Sequence, residues 1–532
     1  MLKKLLSITI CVVLVSMIFS SFVCAAAPSA PGGNVTSYDE LVNALGGSGI
    51  GTLKYDSDGN VTHLHLVRDV TLDAPVVITS GSYTIIGEGA IIRANFDSGN
   101  FFELRGNETV LSLGNEAAVD PERIDLTFDG RSKTFEGSFV RVFEGAGLEL
   151  YSGVLFEDLI TTVSGAAVYN EGSFIMYGGI IENCKALGTG GAVYNGGEAL
   201  LAFGRVAECS ADLGGAVYNQ GKISFLGTSF TANKASKGGF LYNAGEAIYV
   251  SSGVTECTAS TDGGAIYNVS KLVFKGGKIE KCDATVKGGF LYNTGEATFE
   301  GGNIGNCKAS NGGSIYNTSQ LSISGETQLY AGRATSCGAN VYNDTDATFN
   351  FIGGAIASGI GAYGGGVYNL GVFNMSGGGV FSNQATVAEG ILNSGTFNLS
   401  GRGYVGDNDD IYILLSNEGK HALNIAADWS YASRKLNISC GVKNGSSYEY
   451  LENKGDLVIN NTGDIDITDR FNLFNKDSKF VISNEGRLVE APVRISSTVW
   501  LIIGICFAFA VTVTVIVFVI RYFDKKREGV IK

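Results

Sequence analysis

Apolar and polar positions recur with a period of about 24 residues between residues 165 and 395. In each repeat an aliphatic residue stands two positions before an asparagine, and apolar residues stand four and six positions after it. Around Asn195 these positions are Val193, Ala199 and Leu201. Apolar residues at every second position predict short strands with one face turned inwards.

The asparagine closes a motif of two glycines, a small residue, an aliphatic residue and tyrosine, as in GGAVYN at Gly190–Asn195. Consecutive asparagines lie 24 to 26 residues apart, which is typical of a stacked-repeat protein. We expect them to form a structural ladder at tight corners, because Asn and Gly tolerate left-handed backbone angles. The ladder comprises Asn170, Asn195, Asn219, Asn243, Asn268, Asn293, Asn317, Asn343, Asn369 and Asn393.

A third apolar segment completes each repeat, as in Ile181, Cys184 and Ala186. Three short strands per repeat predict an all-β fold, a right-handed parallel β-helix with about 24 residues per coil. Propeller blades need four strands and leucine-rich repeats need a helical return, so neither fits. Bulky Phe240 is matched by small Ala247 in the next strand, which indicates complementary packing inside the solenoid.

Both ends of the chain carry membrane signals. Lys3 and Lys4, the apolar run Leu5–Val23 and three alanines predict a signal peptide over residues 1–26. The uncharged segment Val499–Ile520 predicts one transmembrane helix. Basic residues follow it, so the positive-inside rule places the tail 521–532 in the cytoplasm. We therefore expect a type I, single-pass plasma-membrane protein with residues 27–498 outside the cell.

The extracellular part divides by the regularity of its pattern. Residues 27–59 form a cap region with a short helix over Tyr38–Leu45, since the open end of a solenoid needs cover. Irregular coils occupy 60–164, regular repeats 165–400, and weaker C-terminal coils 401–483, followed by a juxtamembrane linker over 484–498.

Composition narrows the choice of partners. The formal net charge of −14 argues against nucleic acid and anionic lipid. Only 5 prolines and 45% hydrophobic residues argue against a disordered chain.

The tyrosines that precede the asparagines have the opposite parity to the inward aliphatic residues, which predicts an outward stripe. Such a stripe stabilises stacked strands, or it offers a binding platform for glycans or proteins. These tyrosines are Tyr169, Tyr194, Tyr218, Tyr242, Tyr267, Tyr292, Tyr316, Tyr342 and Tyr368.

Five cysteines share one column of the repeat, and Asn233 fills the gap between them. They are Cys184, Cys209, Cys257, Cys282 and Cys307. Parallel side chains on neighbouring coils have poor disulfide geometry, so we expect buried free thiols, with vertical disulfides as the alternative. Neither histidine nor an acidic residue joins the column, so no metal site is expected.

Catalytic chemistry has little support in the pattern. Glycoside hydrolysis needs paired carboxylates, and the regular repeats carry few acids in register. The acidic cluster at Asp407–Asp410 is interpreted as a solvated corner, with weak calcium binding as the alternative. Asn-x-Ser/Thr at Asn34, Asn107, Asn268, Asn317 and Asn343 reads as turn chemistry or as glycosylation sites. We predict neither enzyme activity nor a cofactor.

Two tetrapeptides point to a known family. Gly-Gly-Ala-Val/Ile occurs at Gly190–Val193, Gly214–Val217 and Gly263–Ile266, and Phe-x-x-Asn occurs at Phe230–Asn233. The chain thereby resembles the repeats of chlamydial polymorphic outer-membrane proteins over about 165–395. That resemblance implies a surface-exposed β-helical adhesin, although those proteins end in an outer-membrane barrel and this chain ends in an apolar helix.

The function expected from pattern and resemblance is that of a membrane-anchored adhesin, or cell-surface interaction protein, that binds glycan or protein through its outer faces. The alternatives are a carbohydrate-processing enzyme of the pectate-lyase type, or a degenerate relative of one, and a passive surface spacer.

Overall fold

A computed structural model describes residues 34–527 apart from 48, 116–122, 416–419, 431–434, 468, 476 and 492–496, together with residue 529. It shows a parallel β-solenoid of about 15 turns followed by one apolar helix. Strands hold 49% of the residues. The predicted parallel β-helix with a C-terminal apolar helix is confirmed, whereas the signal peptide lies outside the described residues.

Sheet A contains the tyrosine–asparagine strands. Equivalent residues pair in parallel register, so that Asn195 lies between Asn170 and Asn219. Its 18 strands are Asn34–Val35, Val76–Ile78, Phe102–Leu104, Val140–Val142, Val168–Asn170, Val193–Asn195, Val217–Asn219, Leu241–Asn243, Ile266–Asn268, Leu291–Asn293, Ile315–Asn317, Val341–Asn343, Val367–Asn369, Ile391–Asn393, Asp410–Leu414, Leu436–Asn444, Ser447–Tyr450 and Phe471–Leu473.

Sheet B contains the second apolar pair of each repeat, again in register, with Ala199 between Phe174 and Ile223. It begins with an antiparallel hairpin of Gly51–Tyr55 and Val61–Leu66. The other strands are Ser82–Gly87, Val110–Leu113, Gly147–Leu150, Ser173–Met176, Glu198–Ala202, Lys222–Leu226, Glu246–Val250, Lys271–Phe274, Glu296–Phe299, Gln320–Ile323, Thr348–Phe351, Val372–Met375, Thr396–Leu399, Leu423–Ile425 and Ile459–Asn460.

Sheet C contains the third apolar segment, with Val206 between Ile181 and Phe230. Its 14 strands are Val70–Leu72, Ala90–Ala94, Leu126–Asp129, Val154–Glu157, Ile180–Glu182, Arg205–Ala207, Ser229–Thr231, Ser252–Thr255, Gly277–Glu280, Asn303–Gly305, Gln328–Tyr330, Ala355–Ala357, Gly379–Phe381 and Tyr404–Val405.

A fourth set of short strands, sheet D, was not predicted, because most of its strands are too short to show a period. It forms a 3-stranded group of Thr134–Phe135, Ile160–Thr161 and Lys185–Ala186. A 7-stranded group follows, with Lys234–Lys237, Thr258–Asp262, Asp283–Ala284, Lys308–Ala309, Arg333–Ala334, Ile360–Tyr363 and Gln384–Val387.

Each end of the solenoid is covered. Helix α1, Tyr38–Ala44, starts at Ser37, whose hydroxyl accepts a hydrogen bond from the Glu40 amide at 3.3 Å. Its Leu41 is buried against the first coils. At the other end, strands Phe480–Ile482 and Leu488–Glu490 form an antiparallel hairpin. The segment predicted as a linker therefore begins with an ordered strand.

Helix α2 spans Ser497–Arg527 and so continues through the basic residues that follow the predicted transmembrane segment. Its part Leu501–Arg527 contains an 18-residue window with a mean hydropathy of 2.9 and is long and apolar enough to cross a membrane. The orientation of the chain in that membrane remains a prediction.

The core is one continuous column of inward side chains. Phe240 is fully buried, and its ring centroid lies 4.1 Å from that of Phe230 and 5.1 Å from that of Phe225. Ala247 stands in the sheet B strand of the same coil and is also buried, so a small side chain makes room where the phenylalanine intrudes.

The asparagine ladder lies inside this column rather than at left-handed corners. None of its ten members has a positive φ. Left-handed positions occur instead at the first glycine of the repeat motif, such as Gly190 at φ 65°, and at the residue before each of the five column cysteines, such as Glu208 at φ 56°. Each asparagine does stand at a corner, since only two residues separate Leu241–Asn243 from Glu246–Val250, but the expected left-handed angle was wrong, because the asparagine is the extended last residue of its strand.

Each ladder amide donates to the next across the coils. Asn219 donates to the Oδ1 of Asn243 at 2.8 Å, and Asn243 donates to the Oδ1 of Asn268 at 2.8 Å. Asn243 also donates to the carbonyl of Lys271 at 2.9 Å. All ten side chains are fully buried, so every amide is satisfied without water.

Replacing Asn243 by alanine should destabilise the protein by about 1–3 kcal/mol, because the buried side chains of Asn219 and Asn268 each lose the hydrogen bond that they make with Asn243. Urea unfolding of the full chain in detergent, with hydrogen exchange at the flanking coils, measures the effect. Asn374→Ala is the matched control, since that amide lies on the partly exposed outer side of sheet B. Equal losses for both variants would contradict the role of the buried ladder.

The hydroxyl of Tyr249 is buried and has no hydrogen-bond partner among the described residues. Tyr249→Phe removes this unsatisfied group and keeps the ring, which stacks on Phe274 at 4.5 Å between centroids. We expect the urea midpoint to stay the same or to rise. The corresponding increase in the free energy of unfolding is at most about 1 kcal/mol. A clear fall in the midpoint would show that the hydroxyl has a partner.

Candidate binding face

The nine predicted tyrosines form one stack on the outer side of sheet A, here called the tyrosine stack. Each pairs in register with the next, as Tyr242 does with Tyr218 and Tyr267. Seven of the side chains are half-buried, and Tyr316 and Tyr368 are buried. The parallel register therefore sets one aromatic ring on every coil from Tyr169 to Tyr368.

The rings lie face to face along the axis. Neighbouring centroids are 4.4 Å apart at the two shortest steps, Tyr169–Tyr194 and Tyr316–Tyr342, and 5.7 Å apart at the longest, Tyr194–Tyr218. Most planes lie within 26° of each other, and Tyr267–Tyr292 is tilted by 34°. Stacking occupies the ring faces, so only ring edges and hydroxyl groups remain on the surface.

Both ends of the stack are closed. The guanidinium of Arg141 lies 4.8 Å from the ring centroid of Tyr169 and donates to Glu171 at 3.2 Å. At the other end the Tyr448 hydroxyl lies 2.7 Å from that of Tyr368. A sugar therefore has no open aromatic face to stack on, which weakens the platform interpretation and leaves the hydroxyl edge as the surface for contacts.

Lysines flank the middle of the stack. The ammonium of Lys237 lies 5.0 Å from the ring centroid of Tyr267, and that of Lys287 lies 4.6 Å from Tyr316. Asp262 stands between the two lysines in register. Burial raises the pKa of the Asp262 carboxyl, and the two lysines oppose that rise.

Burial also keeps the tyrosines protonated. It is the main cause that raises the pKa of Tyr194 and of Tyr292 to about 12, and the pKa of Tyr242 and Tyr267 is raised in the same direction. The Asp344 carboxylate accepts from the Tyr316 hydroxyl at 2.7 Å and adds to the effect of burial on the pKa of Tyr316. The stack thus presents neutral hydroxyls over the whole physiological range.

The five column cysteines are buried free thiols. Their sulfurs lie near backbone carbonyls, with Cys209 3.2 Å from Ala207 and Cys307 3.3 Å from Gly305. Burial is the first cause that raises the pKa of Cys282, and contacts with Cys257 and Cys307 add to it. A thiol held protonated and buried is a poor nucleophile and metal ligand.

Asn233 and Asp409 extend the cysteine column. Asn233 accepts from the Cys209 amide at 2.9 Å, and Asp409 accepts from the amide of Asn383 at the same distance. Asp409 and Asp410 are fully buried, so the solvated-corner interpretation of the Asp407–Asp410 cluster was wrong for these two. Asp409 accepts a backbone hydrogen bond at this position of the column, a role that the acidic composition of Asp407–Asp410 did not suggest.

Three of the Asn-x-Ser/Thr sites are members of the buried ladder. Asn268, Asn317 and Asn343 are inaccessible and bonded on both sides. Folded protein cannot carry glycans there, whereas Asn107 is exposed.

Sequence reasoning missed a second ladder of asparagines on the outer side of sheet B. Asn374 donates to Asn350 at 2.9 Å, Asn398 donates to Asn374 at 2.7 Å, and Asn424 donates to Asn398 at 2.8 Å. Asn460 donates to Asn424 at 2.9 Å and ends the series. The recurrence of asparagine beside Phe349, Phe373 and Phe397 was the available signal.

The hairpin that closes the stack was also missed. Strands Leu436–Asn444 and Ser447–Tyr450 pair antiparallel around a two-residue turn of Gly445 and Ser446, and glycine in the first turn position is typical of tight hairpins. Its Tyr448 packs among Tyr363, Tyr368 and Tyr412.

Comparisons with protein families, with curated proteins and with solved structures found no match to the chain. The chlamydial resemblance therefore has no support beyond the tetrapeptides that suggested it. The structure shows a β-solenoid with an apolar C-terminal helix.

The raised tyrosine pKa values predict a loss of stability at alkaline pH. Unfolded tyrosine ionises near pH 10, whereas Tyr194 and Tyr292 ionise near 12 in the fold. Above pH 10 the unfolded chain holds fewer protons than the folded chain, so stability is full below pH 10 and falls as pH rises through 12. Tyrosinate absorbance against pH, with and without urea, checks this, and coincident titration curves would contradict it.

Proposed function

We propose that this protein is a membrane-anchored adhesin, or cell-surface interaction protein, that binds its partner through the outer faces of the solenoid. The observation that carries the proposal is the combination of a long solenoid, whose outer residues form continuous columns, with a C-terminal helix able to cross a membrane. A solenoid displays a large, pre-organised lateral surface, and such surfaces are what repeat proteins use for binding. The type I orientation, with the solenoid outside the cell, is part of the proposal.

The tyrosine stack is one candidate contact face. Its hydroxyl edge is rigid, because each ring is held by two neighbours, and it carries the ammonium groups of Lys237 and Lys287 beside it. Rigid hydroxyls lose little entropy on binding, which favours hydrogen bonds to glycan or protein. The closed ring faces equally fit a spacer, in which the stack only stabilises the rod.

Vesicles that carry the full chain, set against protein-free vesicles, test adhesion on a panel of cells and immobilised glycans. A polysaccharide-cleavage assay on the same preparation tests the enzymatic alternative. Protein-dependent capture without cleavage supports the proposal. If no surface captures the vesicles, including surfaces that carry the protein itself, the result contradicts adhesion and favours the passive spacer.

The triple variant Tyr242→Phe, Tyr267→Phe and Tyr292→Phe keeps the stack and removes three surface hydroxyls. We expect it to weaken capture by on the order of tenfold, since neutral hydrogen bonds contribute about 0.5–1.5 kcal/mol each. Tyr249→Phe is the matched control, because that hydroxyl is buried in the core. Unchanged capture by the triple variant would show that the partner contacts another face of the solenoid.

A further inference from the structure

The outer side of sheet B carries a column of charges with alternating sign. Glu198, Lys222, Glu246, Lys271 and Glu296 stand directly above one another on five successive coils. The last four side chains are exposed, and none of the five forms an ion pair with another described residue. Alternation keeps like charges off neighbouring coils. It also gives the surface a charge pattern that a partner with complementary charges can recognise.

Beside the charges runs a column of apolar and hydroxyl side chains. Its members in the same five strands are Leu200, Ser224, Ile248, Val273 and Thr298. Ile248 and Val273 remain partly exposed on the outer side of the sheet. The middle of the face is thus apolar.

A third column completes the face. Leu226 and Val250 are in register, and Lys275 and Glu300 continue the series on the next two coils. Both of these charged side chains are exposed. Charges therefore flank the apolar centre on both sides.

We infer that this face of sheet B binds the same face of a second copy of the chain, in antiparallel orientation, so that adhesion is homophilic. The inference rests on the proposed function and names its partner. A two-fold axis that lies in the plane of the interface, parallel to the strands and between Ile248 and Val273, brings the isoleucine of each copy onto the valine of the other. Such an isologous contact requires a self-complementary surface.

The charges meet their opposites under that operation. Because the axis reverses the order of coils and keeps each column in place, Glu246 faces Lys271 of the second copy, and Lys222 faces Glu296. Each pair occurs twice. Facing sheets pack about 10 Å apart, a gap that Lys and Glu side chains span together. The stems of Lys275 and Glu300 cover Val250 and Leu226 of the second copy.

The same surface disfavours parallel pairing within one membrane. Two copies at equal height would bring Lys271 against Lys275 and Glu296 against Glu300, which are like charges. The antiparallel operation points the two C-terminal helices in opposite directions, so the copies are anchored in facing membranes.

The contact is small. Five coils at about 4.8 Å and strands of about 16 Å give a patch on the order of 400 Å² per copy, below the roughly 800 Å² of a standard interface. One pair is therefore weak, and firm adhesion needs many pairs acting together between two membranes.

The test uses two differently labelled populations of vesicles that carry the full chain at high density. Wild-type populations should aggregate, and the aggregation should fall as ionic strength rises, because exposed charges are screened. Variant one, Lys271→Glu with Glu296→Lys, and variant two, Lys222→Glu with Glu246→Lys, each preserve net charge. Each variant alone should aggregate on the order of tenfold less, since all four pairs become like-charged.

Mixing variant one with variant two should restore aggregation between the two populations, because every reversed charge then meets its reversed opposite. A structural defect in either variant could not be rescued in this way, and circular dichroism confirms the fold of each. Unimpaired aggregation of the single variants, or failure of the mixture to recover, would overturn the proposed face. Capture on cells or glycans without any aggregation of wild-type vesicles would overturn homophilic binding and leave the proposed function standing.

Discussion

A hydrogen-bond ladder of buried amides runs along the axis and holds the regular coils in register. Each asparagine side chain bonds to the equivalent side chain one coil away, from Asn170 to Asn393, and nearly every distance lies close to 2.8 Å. A buried amide that slips by one residue loses both partners, so alternative registers are strongly disfavoured. The sheets, the apolar core and the outer columns all inherit this register.

Exact stacking converts each position of the repeat into a column. Inside the solenoid, the small side chain of Ala247 leaves space for Phe240. The same stacking aligns the buried cysteine thiols, which have no charged partner, in one column. Outside, it aligns tyrosines whose faces become occupied by one another. A column of one residue type is therefore first a structural element, and binding has to use what stacking leaves exposed.

Charge is the one property that cannot repeat on every coil without repulsion. On the outer face of sheet B the charges alternate in sign from Glu198 to Glu296, which avoids this repulsion. Alternation stabilises the single chain, and it also makes the surface complementary to its own reversed copy. Stability of the rod and recognition between rods can thus come from the same side chains.

Period, parity and end signals in the sequence were enough to determine the parallel solenoid, the inward aliphatic residues, the cap helix near Tyr38 and the apolar C-terminal helix, because these depend on local patterns. Tertiary structure decided what each column does. Asn243 proved to bond along the solenoid axis with an extended backbone, Asp409 proved to be a buried acceptor, and Tyr448 closes a stack that begins far away in sequence. Such roles depend on which side chains lie one coil above and below, and that neighbourhood exists only once the coils are stacked.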